Sequence, residues 1–219
     1  MSQDCVVLLH GLARSAGSME TMQEALEDAG YVTANIDYPS RKHTVEALAN
    51  MAVPEGIAAC EGNDDIERIH FVTHSLGGIL LRQYLKENRI DKLGRVVMLG
   101  PPNQGSEVVD SYARFKGFEW FAGPAGMQLG TGEASVPRQL GPVSFDVGVI
   151  AGTQSINPIL STLLPDRDDG KVSVDATRVE GMNDHLELPV THVFMMRDDE
   201  VMDQVVYYLA NGRFKRELH

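Results

Sequence analysis

The segment Phe71-Val72-Thr73-His74-Ser75-Leu76-Gly77-Gly78-Ile79-Leu80 puts one serine between an apolar run and a helix-periodic run. A serine hydroxyl is a weak nucleophile unless a base sits beside it. A sharp strand-to-helix turn exposes such a hydroxyl, provided the residues two positions away are small. Gly77 meets that demand after Ser75, and Gly78 lets the helix pack closely. Thr73 departs from it, because a β-branched residue stands where glycine is expected. The histidines downstream are His185, His192 and His219. The apolar run 186–190 lies between the first two. In a parallel sheet whose carboxyl edge carries Ser75, a residue before that run is at the wrong end. His192 is therefore the expected base, His185 is remote, and His219 is the terminal residue. An acid must orient the imidazole and stabilise its charged form. The local candidates are Asp166, Asp168, Asp169 and Asp175.

Several elements must position these groups. Short apolar runs alternate with helical patterns, which predicts an α/β fold with a mostly parallel sheet covered on both faces. Strands are expected at 5–9, 31–37, 68–73, 95–99, 146–150 and 186–190. Helices are expected at 18–29, at 44–60 with an interruption at Pro54, from Ser75 to about Glu87, and at 199–210. Residues 104–142 are too long for a strand–helix connection and hold Tyr112, Phe115, Phe118, Trp120 and Phe121. Long insertions in compact domains are often functional. We expect a small substrate cap here, on one domain spanning 1–219; a helix that completes the sheet cover is the plainer alternative. Val6-Val7-Leu8-Leu9-His10-Gly11-Leu12 reads as a strand ending in His-Gly, with His10 supporting the loop.

The bulk properties exclude several functions. A net charge of −12 argues against nucleic-acid partners and against electrostatic docking on anionic membranes. No apolar run reaches the ~18 residues of a membrane span. The first four residues lack a basic region followed by an apolar stretch, so the expectation is a cytoplasmic protein without integral membrane association. Cys5 and Cys60 are the only cysteines and are expected to be small buried hydrophobes. No His/Cys cluster has zinc-ligand spacing, and no glycine-rich phosphate loop occurs, so neither metal nor organic cofactor is expected. Met195 and Met196 are expected to pack in the core.

Taken together, His10-Gly11, His74-Ser75-Leu76-Gly77-Gly78, the turn Gly100-Pro101-Pro102-Asn103-Gln104-Gly105-Ser106, Asp169-Gly170 and Thr191-His192 resemble the compact α/β-hydrolases of the lipase/carboxylesterase superfamily. The likeness is strongest to small bacterial lipases with little or no lid, and it covers nearly the whole chain. It implies a core of about six strands that lacks the two opening strands of larger members. It implies Ser75 as nucleophile and His192 as base. It also implies backbone N–H groups of Leu12 and Leu76 as an oxyanion hole. The family's acid stands in an Asp-x-x-Val arrangement, often Asp-Gly, which Asp169-Gly170-Lys171-Val172 fits. Asp168 is the alternative.

The expected reaction is two-step hydrolysis of a small-molecule carboxylic ester, with a short or medium acyl chain. A thioesterase, amidase, acyltransferase or perhydrolase would use the same triad. A non-catalytic α/β-hydrolase that binds a ligand is a further alternative. The sequence carries no signal for an oligomeric state.

Overall fold

In a computed structural model, residues 3–155 and 167–216 are described. They form a six-stranded sheet in the order β2-β1-β3-β4-β5-β6. The strands are β1 (Gln3–Leu9), β2 (Val32–Ile36), β3 (Ile66–His74), β4 (Leu93–Leu99), β5 (Val147–Gly152) and β6 (Asp184–Leu188). Every neighbouring pair is parallel. The expected fold class therefore holds, with the whole sheet parallel rather than most of it.

The strands read as continuous apolar runs because both faces are buried. In β1, Cys5, Val7 and Leu9 face one core, while Val6 and Leu8 face the other. The first core is covered by α2 (Val45–Glu61) and α3 (Leu76–Glu87). The second is covered by α1 (Glu20–Asp28) and a C-terminal helix, Asp199–Asn211, with Met195 and Met196 fully packed as expected.

Two expectations need correction. The helix over 44–60 is not interrupted at Pro54 but runs unbroken from Val45 to Glu61. Proline removes the N–H that would bond the carbonyl four residues earlier. That carbonyl belongs to Asn50, which is exposed, so water can satisfy it. The cysteines are not free hydrophobes either: Cys5 and Cys60 form a disulfide with a Cα–Cα distance of 5.8 Å. The close seating of α2 on β1 brings them together. A Cβ on Gly56 would lie 2.4 Å from the Val7 side chain, so only glycine permits that approach. Two cysteines 55 positions apart cannot be paired by sequence spacing alone.

Residues 104–142 contain three short helices, α4 (Glu107–Tyr112), α5 (Phe118–Met127) and α6 (Val136–Gln139). A one-turn helix α7 (Val174–Thr177) precedes β6, and the C-terminal helix is α8. No helix among the described residues is long and apolar enough to cross a membrane.

Candidate active site

Ser75 stands between β3 and α3 with φ 51° and ψ −116°. Ala13 and Ser75 are the non-glycine residues with positive φ among those described. Such conformations cost about 1–3 kcal/mol each and persist only where surrounding structure enforces them. Here the Ser75 N–H donates to the Leu99 carbonyl at 2.9 Å, and the Gly78 N–H donates to the Ser75 carbonyl at 3.1 Å. Gly77 has no room for a side chain, since its Cβ would lie 2.5 Å from the Leu9 carbonyl oxygen. The anomaly of Thr73 has a local remedy. A Cβ on Gly78 would stand 3.2 Å from Thr73 Oγ1, so the glycine leaves space for the threonine.

His192 follows β6 and is buried, 3% exposed. Its Nδ1 lies 2.7 Å from Asp169 Oδ2. Its backbone N–H also donates to the Asp169 carbonyl at 2.9 Å. The other carboxylate oxygen, Oδ1, accepts from the N–H groups of Lys171 at 3.0 Å and Val172 at 2.9 Å. A carboxylate can only accept from Nδ1–H, so Nε2 of His192 carries the lone pair. Asp168 faces elsewhere: its Oδ1 accepts from the Gly170 N–H at 2.7 Å. Asp175 is exposed and pairs with Arg178 at 3.6 Å. Asp166 and His219 lie outside the described residues. His185 is the second residue of β6, at the end of the strand away from His192, and bonds Thr177 Oγ1 at 2.9 Å. Burial, then the charge of Arg178, pushes its imidazole down to about 4.

Gly100, at the end of β4, forms the floor beneath the Asp169–His192 couple. Its φ is +53°, and a Cβ there would come within 3.0 Å of both Asp169 Oδ2 and His192 Nδ1. A side chain at this position would separate or displace the pair.

Ser75 and His192 line one cavity of about 150 Å³, together with Leu12, Arg14, Lys171 and Val172. Its apolar wall comes from the 104–142 segment through Val108, Val109, Phe118, Phe121, Ala122 and Leu129. The aromatic residues of that segment thus divide. Phe118 and Phe121 reach the cavity, Phe121 while still 54% exposed, whereas Phe115 and Trp120 do not line it and are exposed, Trp120 by 85%. Leu12 follows the β1 loop and Leu76 is the first residue of α3. Among the described residues neither backbone N–H has a hydrogen-bond partner. For Leu76 this is the ordinary state of a helix N-terminus.

His10 supports the loop, as expected. Its Nδ1–H donates to the Gly11 carbonyl at 2.9 Å, its Nε2 accepts from the Tyr38 N–H at 3.3 Å, and the two rings stack at 3.9 Å. His74 is the residue that sequence reasoning missed. It is 2% exposed and bonds the backbone carbonyl of His192. Its position beside Ser75 was the available signal, but a buried histidine reads equally well as core. No group of His, Cys, Asp or Glu among the described residues could hold a metal.

Comparison with solved structures gives the same architecture. The mature form of a Bacillus licheniformis lipase superposes with a TM-score of 0.75 at 18% identity, covering 95% of this chain and 92% of that one. A monoacylglycerol lipase of Paleococcus ferrophilus gives 0.61 at 18% identity, covering 97% of each chain. Phospholipase PlaB of Legionella pneumophila gives 0.68 at 18% identity, covering 96% of this chain and 63% of that one. No curated protein sequence matches significantly. The family described as palmitoyl protein thioesterase matches residues 5–134, more than half of the chain. With that match and this sheet, the chain belongs to the palmitoyl protein thioesterase family, as a compact α/β-hydrolase of the lipase/esterase type.

Proposed function

We propose that this protein is a serine acyl hydrolase in which Ser75 is the nucleophile, His192 the general base and Asp169 the orienting acid. The observation that carries the reading is a strained serine sharing a cavity with a histidine whose Nδ1 is bound by a buried carboxylate. His192 Nε2 takes the Ser75 proton as Oγ attacks the acyl carbonyl. The N–H groups of Leu12 and Leu76 hold the oxyanion. His192 then protonates the leaving group, and the carbonyl re-forms as an acyl-enzyme. Water, deprotonated by His192, attacks that acyl group. The proton returns to Ser75 as the carboxylic acid leaves.

Residues 104–142 act in this reading as a small cap on one domain, supplying the acyl-binding wall. A volume of about 150 Å³ is small beside the 300–1,000 Å³ of ordinary ligand sites, which favours short or medium acyl chains. Oxygen esters are the first substrate class. Thioesters are a second, favoured by the family match. The Cys5–Cys60 bridge supports an oxidising compartment over the cytoplasm expected from the sequence.

The test is hydrolysis of p-nitrophenyl hexanoate and of a hexanoyl thioester by the wild type and by Ser75→Ala, with fluorophosphonate labelling alongside. Turnover and labelling that both vanish in Ser75→Ala are expected. A folded Ser75→Ala protein with full activity would overturn the proposal. The ratio of the two rates decides between ester and thioester.

A further inference from the structure

Arg14 and Lys171 both line the cavity that holds Ser75 and His192. Arg14 belongs to the loop after β1, two residues beyond Leu12, and Lys171 to the loop that carries Asp169. Among the described residues, neither side chain makes a hydrogen bond or an ion pair, although the chain carries 31 acidic residues against 19 basic ones. Arg68, Arg95, Arg167, Arg178 and Arg216 all find carboxylates. Asp169 is the acid whose charge acts on Lys171, and it is already committed. One oxygen is held by backbone N–H groups and the other by His192. Among the described residues, no carboxylate lines the cavity itself. The two cations also oppose each other: desolvation by the neighbouring loops and then the charge of Arg14 lower the Lys171 pKa, although the side chain keeps contact with solvent.

Two like charges beside a largely apolar cavity, Lys171 exposed and Arg14 half-buried, attract an anion, and the described residues that line the cavity supply none. We infer that the site selects acyl substrates whose leaving group carries a phosphate or carboxylate near the scissile bond. The inference rests on the acyl-hydrolase reading above. Val108, Val109, Phe118 and Phe121 offer an apolar surface for the acyl chain. The anion then falls on the leaving-group side, toward the loops of Arg14 and Lys171. Charge-assisted bonds to both would tighten as water is excluded.

The experiment compares monohexanoyl glycerol phosphate and hexanoyl glycolate with neutral monohexanoyl glycerol, all as soluble monomers. p-Nitrophenyl hexanoate serves as the general substrate. The wild type should show a kcat/KM for the anionic esters roughly tenfold to hundredfold above the neutral one. The gap should narrow as salt rises. In Arg14→Gln/Lys171→Gln the ratio should fall close to unity, and in Lys86→Gln, in the last turn of α3 and outside this cavity, it should persist. Arg14→Lys should retain most of the preference, which covers the case in which the double variant misfolds. Equal or lower kcat/KM on both anionic esters, with p-nitrophenyl hexanoate cleaved normally, overturns the inference and leaves the hydrolase reading intact. A preference that survives in the folded double variant also overturns it. Failure to cleave any ester overturns the hydrolase reading instead.

Discussion

The Nε2 of His74 lies 2.9 Å from the backbone carbonyl oxygen of His192, with the two rings 4.8 Å apart. A carbonyl only accepts, so His74 is the Nε2–H tautomer and neutral. Burial holds its pKa well below the ordinary imidazole value, and the adjacent His192 lowers it further. The residue next to the proposed nucleophile thereby ties down the loop of the proposed base. His74→Ala should lower kcat on p-nitrophenyl esters by roughly tenfold to a hundredfold, with little change in KM, because displacement by ~1 Å has that scale of effect. An unaltered kcat in a folded variant would remove the positioning role.

The two neighbouring aspartates should separate cleanly. Asp169→Asn should reduce kcat by about 10⁴, as a misplaced tautomer does in serine hydrolases. Asp168→Asn should keep most of the activity, because an amide oxygen can still accept from the Gly170 N–H. Steady-state kinetics of the pair is the check, and equal losses would contradict the assignment.

The disulfide closes a loop of 55 residues in the unfolded chain. Chain-entropy arguments give it about 4 kcal/mol. Cys5→Ala/Cys60→Ala, or reduction, should therefore lower the melting temperature by roughly ten degrees. Calorimetry with and without reductant measures this. A superimposable pair of traces would show that the bridge contributes nothing.

Acid should destabilise the fold in two stages. His10, His70, His74 and His185 are all held below the ordinary imidazole value, mainly by burial. Each favours the folded state in its neutral form. That contribution is complete above about pH 6.5. It is lost as pH falls through the folded values, which for His185 means about 4. Asp4 and Asp184, lowered by their arginine partners against their own burial, add a loss only below that range. Urea midpoints should fall between pH 6.5 and pH 4 and fall again below it. A flat midpoint across the upper window would contradict the burial of these rings as neutral groups.

The sequence by itself determined the parallel sheet, because strands buried on both faces must be apolar throughout. The strand–Ser75–helix junction was legible for a related reason. A turn that tight demands Gly77, and Gly77 is visible in one dimension. So was the order of Ser75, the acidic loop and His192 along the chain. What only the tertiary structure decided depends on direction and distance between remote residues. Asp168 and Asp169 differ by one position and face different ways, so only a fold can choose between them. Cys5 meets Cys60 because Gly56 lets α2 settle on Val7. Arg14 and Lys171 are 157 positions apart and read as surface charges until two loops bring them to the same cavity.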